Sequence, residues 1–224
     1  MLGQRHDVLE PEQLTPLILP LGDQAMLIRF GDRLTDEANL AAIDFSRRAD
    51  AAALQGVVEV VPNLVSVLLR YEPATISFER LAGEVRLLVS GEPTGQQRGR
   101  EAVVRVEFDG EDLHEVVGLL HLSVDAFISA HNGLPLRVLA TGFAPGFVYC
   151  GMHQDSLVVP RRRSVRRRVP AGTVLFAAGQ TAITSTAIPT GWHVIGRTGF
   201  RNFDPSRLPP SDLGAGDVVR FEAT

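Results

Sequence analysis

The chain has 224 residues, 45% of them hydrophobic and 21% charged, with a formal net charge of −4 and a single cysteine. That length suffices for one large domain or two modest ones with real cores. The mild negative charge argues against a general polyanion binder, and Cys150 standing alone excludes an intramolecular disulfide framework and any cysteine-rich zinc site.

All 22 basic residues are arginines, so a P-loop lysine, a Schiff-base lysine or a kinase strand lysine cannot come from this chain. No apolar run approaches the roughly 20 residues that cross a bilayer, and the N-terminal MLGQRHDVLEPEQL lacks an apolar signal core. A cytoplasmic protein without membrane attachment is the expectation.

In chain order, Leu21 to Phe30 has strand composition. Asp36 to Leu54 places Ala38, Ala41, Ala42, Phe45, Ala49 and Ala52 at helical spacing behind acidic first-turn residues, with Gly56 just beyond. Val57 to Val61 and Leu64 to Tyr71, separated by Pro62-Asn63, read as a hairpin. Ile76 to Val89 suits a second amphipathic helix. The order βαββα predicts a small ferredoxin-like α+β sandwich over residues 1–90. The polar, Gly- and Pro-containing stretch 91–101 is the expected linker.

Residues 102–224 are expected to form the second domain. Ala102 to Phe108 reads as a strand, and Glu111 to Leu120 and Ser123 to Ala130 as short helices, the second capped by Ser123. From Pro135 onward short apolar runs (LRVLAT, SLVVP, GTVLFAA, TAITST, HVIG, GDVVRF) are broken by Gly and Pro, the pattern of a β-barrel.

Most of the Gly, Pro and Arg signal lies in TGFAPGFVYCG (Thr141 to Gly151), RRRSVRRRVPAGT (Arg161 to Thr173), AAGQT and TGWHVIGRT. The first of these predicts a turn presenting Phe143, Phe147 and Tyr149, with backbone amides available to an anion. Six arginines fall within Arg161 to Arg168, flanked by prolines that indicate a constrained loop. With no nucleic-acid-binding motif beside it, nucleic acid is not expected. The planar guanidinium fork matches carboxylates and phosphates, making Arg161, Arg166 and Arg168 candidates for an anionic substrate or developing phosphoryl charge. His131 is the natural proton carrier, its alternative being a cation at a helix C-terminus. Gln180 offers a donor and an acceptor to an amide, and Trp192 a flat apolar wall. No histidine pair has metal-ligand spacing, so no metal site is expected.

These blocks resemble the small subunit of the bacterial ATP-dependent 5-oxoprolinase, a family also known as allophanate hydrolase subunit 1, which includes a sporulation kinase inhibitor. Gly142, Phe143, Pro145, Gly146, Phe147 and Tyr149 carry the first block, and Pro160, Arg161, Arg166 and Val169 to Gly172 the second. Gly179 to Thr181, Gly191, Trp192 and Gly196 to Thr198 carry the rest, and His131 matches a family histidine. Val165 stands where the family usually has proline, and Ala178 where it often has glycine.

The resemblance implies a cyclophilin-like barrel for the second domain and an ATP-dependent opening of the 5-oxoproline lactam to glutamate. It also implies ATP as its Mg complex, with contacts shared among subunits, and partners in the form of a second barrel subunit of the C type and a larger A-type subunit. In that picture Arg161 and Arg166 bind anionic groups, Gln180 and Tyr149 orient the lactam beside Phe143 and Trp192, and His131 moves a proton. Similarity to half of a urea carboxylase carboxyltransferase domain gives a second expectation, carboxyl transfer. Inhibition of a sensor histidine kinase is a third.

Overall fold

The computed structural model describes residues 15–92 and 99–224. Two compact units emerge, Met1–Val61 with Val65–Pro93, and Pro62–Leu64 with Thr94–Thr224.

The first unit has strands β1 (Leu17–Pro20), β2 (Ala25–Arg29), β3 (Val57–Pro62) and β4 (Ser66–Tyr71), with helices α1 (Asp36–Ala52) and α2 (Phe78–Ser90). The sheet order is β1-β2-β4-β3. One face buries Met26, Ile28, Val67, Leu69 and Tyr71 against Ala38, Ala42, Phe45 and Ala49 of α1 and Leu81, Ala82 and Val85 of α2, which is why both helices carry apolar residues three and four apart. The Thr35 hydroxyl caps α1 by accepting from the Ala38 amide at 3.2 Å, and Ser77 caps α2 by accepting from the Arg80 amide at 3.3 Å.

Strand β1 is not foreseen by the sequence, and the strand expected from Leu21 begins only at Ala25. Leu21 to Gln24 instead form the turn of a hairpin, with Gly22 at φ 67° and Leu19 opposite Leu27. The Gly22-Asp23 pair is the available turn signal.

The second unit contains β5 (Glu101–Val106), α3 (Leu113–Leu120), α4 (Val124–Asn132), β6 (Leu136–Thr141), β7 (Val148–Gly151), β8 (Arg166–Val169), β9 (Thr173–Ala177), β10 (Gln180–Ile183), β11 (Ile188–Thr190), β12 (His193–Arg197) and β13 (Val218–Ala223). Seven strands form one sheet, β12-β9-β10-β7-β6-β13-β5, and β8 and β11 form a separate ribbon. The large sheet curls until its edges meet: Glu107 and Arg197 exchange two backbone hydrogen bonds of 2.9 Å. Gly196 permits this approach, since a Cβ there would lie 2.3 Å from the Glu107 carbonyl oxygen. Inside the curl, Val104, Val138, Val148, Cys150, Phe176, Ile183, Ile195 and Phe221 pack with Phe127 of α4 and Val116 of α3.

Two expectations fail here. SLVVP is not a strand but a 3-10 turn (Asp155–Leu157) and extended chain, held by the Ala178 amide donating to the Val159 carbonyl at 2.7 Å. The arginine run is not simply a loop, because its second half is strand β8, paired with β11. Of the expected linker, residues 93–98 lie outside the described residues, and β5 begins at Glu101.

Candidate functional site

Strand alternation divides β7, β9 and β10 into two faces. Cys150, Phe176, Thr181 and Ile183 point into the curl, while Tyr149, Leu175, Ala177 and Ala182 point outward. On this outer face Phe147, Val169, Ile188 and Trp192 complete an apolar cluster. A line of aromatic contacts crosses it: Phe143 to Phe147 (5.4 Å between centroids), Phe147 to Tyr149 (4.7 Å) and Tyr149 to Trp192 (5.9 Å). The Arg161 guanidinium lies over the Trp192 ring, 5.7 Å from its centroid, a cation–π contact. Burial raises the Tyr149 phenol above its usual range and the Arg161 charge partly offsets this, so a neutral hydroxyl is presented beside a cation.

Gln180 belongs to the same face. It stands opposite Ala177 on β9, and a Cβ on Gly151 would lie 3.3 Å from its Cγ, so the absence of a side chain at Gly151 makes room for it. The side chain is 8% exposed, yet its Oε1 is buried without a hydrogen-bond partner. Leaving a buried acceptor unmade costs roughly 1–3 kcal/mol, so the group calls for a donor from a ligand or an ordered water. The platform thus gathers Phe143, Tyr149, Trp192, Arg161 and Gln180 from four of the sequence blocks.

Arg166 is placed elsewhere. Its two terminal nitrogens grip both carboxylate oxygens of Asp112 at 2.6 and 2.8 Å, and its Nε meets Glu111 at 2.7 Å. Arg162 also binds Asp112, and the Val194 amide donates to it at 2.8 Å. Burial by itself would raise the Asp112 carboxyl; the Arg166 hydrogen bonds, the Val194 amide and the two positive charges outweigh it and hold the pKa below the usual range. Asp112 therefore ties the start of α3 to β8 and β12. Asp112, Glu115 and His193 also lie close enough to suggest a cation site. A dication there would have to displace guanidinium groups from Asp112, so the cluster is built as an arginine clamp.

His131 lies on the inner side of the sheet, fully buried against Phe108, Phe127, Phe176 and Phe221. Its Nδ1 faces Asn132 Oδ1 at 2.7 Å, and its Nε2 faces Thr181 Oγ1 at 2.8 Å. An amide oxygen only accepts, so Nδ1 carries the proton and Nε2 accepts from the Thr181 hydroxyl. The same oxygen then accepts from His153 Nε2, also at 2.8 Å. Burial drives the His131 pKa down to about 4. Burial, then the neighbouring His131, drives that of His153 to about 3. Both rings are neutral near pH 7, which rules out the alternative of a cation at the end of α4. Neither ring contacts the outer platform. Cys150 is likewise interior, and burial pushes its thiol far up, leaving it protonated.

The turn at Gly142 to Gly146 walls an open groove of about 410 Å³ with Thr141, Phe203 and Ser211. Gly146, at φ 67°, sits where a Cβ would lie 2.5 Å from that of Phe203. The glycine thus serves close packing, while Phe143 remains 59% exposed at the groove's rim.

Asp112, Thr181 and His153 escape sequence reasoning. Asp112 falls in the first turn of the helix expected from Glu111; in the structure it is the N-cap of α3, yet its side chain makes no cap hydrogen bond and goes to the arginines instead. Thr181 lies inside the AAGQT block, where nothing local gives it a role. His153 follows no spacing rule.

The profile of the carboxyltransferase domain, subdomain C and D, matches residues 16–213. The chain is 32% identical over 215 residues to the B-type 5-oxoprolinase subunit of Bacillus subtilis (strain 168), covering 90% of each. It superposes on the crystal structure of TTHA0988 with a TM-score of 0.79 and 34% identity, spanning 90% of this chain but only 40% of that one. The Kluyveromyces lactis urea carboxylase shares the fold at 14% identity and a TM-score of 0.76, with 97% of this chain and 22% of that one covered. Among the described residues no helix is long and apolar enough to cross a membrane. The chain belongs to the carboxyltransferase subdomain C and D family, alongside the B-type subunits of bacterial 5-oxoprolinases.

Proposed function

We propose that this chain is the B-type subunit of an ATP-dependent 5-oxoprolinase and that the outer platform holds the lactam. The observation that carries the reading is the unpartnered Gln180 Oε1, buried on the face that carries Tyr149 and the chain's single tryptophan. A lactam N–H is the donor this acceptor lacks. Arg161 takes the substrate carboxylate, the Tyr149 hydroxyl donates to the lactam oxygen, and Trp192 and Phe143 wall the apolar ring.

ATP, as its Mg complex, would phosphorylate the lactam oxygen and so make the ring carbon open to water. The residues here fit only part of that task, because Arg162 and Arg166 are committed to Asp112. The remaining contacts are assigned to partner subunits of the C and A types. His131 acts by positioning: through Thr181 it fixes the strand that presents Gln180. Arg166 positions β8 and β12 through Asp112.

A second reading is favoured by the family profile itself: carboxyl transfer to an amide nitrogen on the same platform. The deciding experiment is ATP hydrolysis by the purified chain alone and combined with its genome-neighbour subunits, with and without 5-oxoproline. Hydrolysis in the mixture that requires 5-oxoproline supports the first reading. Turnover that instead requires a biotin carrier, or none with 5-oxoproline in any combination, rejects it.

A further inference from the structure

Arg161 is the cation of the platform, yet no ladder fixes it: residues 158–162 belong to no helix or strand, and the side chain is exposed. A cation–π contact made by an exposed arginine is weak by itself and does not offset the rotamer freedom of that side chain. The backbone must therefore be held, and two hydrogen bonds tie it to the segment that carries Trp192. The Arg162 amide donates to the Gly191 carbonyl at 2.8 Å, and His193 Nε2 meets the Pro160 carbonyl oxygen at 3.0 Å. Arg161 lies between Pro160 and Arg162, and Trp192 between Gly191 and His193, so the two bonds bracket the stacked pair.

The imidazole makes little other use of its polarity. A carbonyl oxygen only accepts, so Nε2 carries a proton and donates it to Pro160. Nδ1 is buried without a hydrogen-bond partner, and Glu115 Oε2, at 3.9 Å, lies beyond hydrogen-bond reach. Among the described residues the contact with Pro160 is therefore the ring's single hydrogen bond, although the residue is only 2% exposed. A side chain serving packing alone would be better apolar, because a buried ring nitrogen left unpaired is unfavourable. The position calls for the Nε2–H donor. Proline at 160 has no N–H of its own, so its carbonyl is the backbone group by which that residue can be anchored.

We propose that His193 is a positioning residue for the substrate anion: its Nε2–H fixes the Pro160 carbonyl and thereby sets the Arg161 guanidinium over Trp192, where the fork meets a carboxylate. The inference rests on the reading of the outer platform as the substrate site. His193 acts through Arg161 and touches no substrate. Loss of its donor frees the backbone on either side of Arg161, so the guanidinium is no longer held ready and the anion binds more weakly, while the later steps are left alone.

Glutamine carries an N–H as many bonds from Cβ as Nε2, and asparagine carries it one bond nearer, so His193→Gln keeps the donor and His193→Asn withdraws it. Emission and acrylamide quenching of Trp192, the single tryptophan, read the stacked pair in the purified full chain, with Arg161→Ala defining the unstacked signal. His193→Asn should move the signal towards that of Arg161→Ala, the double variant should match Arg161→Ala alone, and His193→Gln should match the wild type. In the complex with the partner subunits, His193→Asn should raise the KM for 5-oxoproline at least about fivefold with kcat within about twofold, and His193→Gln should restore it. A wild-type signal in His193→Asn, additive shifts in the double variant, or an unstacked signal in folded His193→Gln overturns the proposal. So does an unchanged KM in His193→Asn where Arg161→Ala raises it. An unchanged KM in Arg161→Ala itself overturns the platform reading and with it the substrate role, while the spectra still decide whether His193 sets Arg161.

Discussion

Acidification should destabilise the second unit through His131 and His153, and the size of the effect follows from their burial. Each folded-state pKa, about 4 and about 3, lies below the ordinary value of 6.5. The unfolded chain therefore binds protons before the folded one does. The associated stability is fully present above about pH 6.5 and is lost as pH falls towards those folded values. Between pH 6 and 5 the slope per histidine approaches about 1.4 kcal/mol per pH unit, and by pH 5 each contributes a loss of about 2 kcal/mol. Two of them reach about 4 kcal/mol, a large share of the roughly 5–15 kcal/mol that holds a typical domain folded. Urea denaturation followed by the fluorescence of Trp192, which reports on this unit alone, measures it at pH 7.5, 6.0 and 5.0. His131→Phe, placed among four phenyl rings, should roughly halve the slope whatever its stability at neutral pH. Equal stability at pH 7.5 and 5.0, or an unchanged slope in the variant, would refute the shared-hydroxyl arrangement as described.

Other expectations follow from the same geometry. Asp112→Ala leaves two guanidiniums without their buried carboxylate and should cost roughly 3–5 kcal/mol, read from the urea midpoint. Thr181→Val removes the hydroxyl that both imidazoles share and should cost roughly 1–3 kcal/mol while steepening no pH dependence above pH 7. Cys150 should resist a disulfide-exchange reagent in the native state and react at once in denaturant, because its thiol is buried and protonated.

The elements with strong periodicity were legible in the sequence. The helix from Asp36 and the strands around Val67, Phe176 and Phe221 carry the apolar alternation that burial demands, and their observed bounds differ from expectation by few residues. What escaped was tertiary. Nothing local distinguishes SLVVP, whose valines are extended chain outside any sheet, from a strand. Nor does anything near Arg166 announce that its partner, Asp112, lies 54 residues away. The motif blocks supply Tyr149 and Trp192, whose rings meet on the outer face of the curled sheet, and Gln180 on the strand next to that of Tyr149. They gave His131 and Arg166 the same standing, since a motif records that a residue matters without saying whether it meets a ligand or holds the strand that does.

Gln180→Leu separates those two meanings for the platform itself. If Gln180 is retained for a ligand, the substitution removes an unpaired buried acceptor, so the purified chain should unfold at an equal or higher urea concentration. Its complex with the partner subunits should then lose 5-oxoproline-dependent ATP hydrolysis by at least about tenfold. A destabilised chain whose complex turns over 5-oxoproline at the wild-type rate would contradict the assignment of the outer platform as the substrate site.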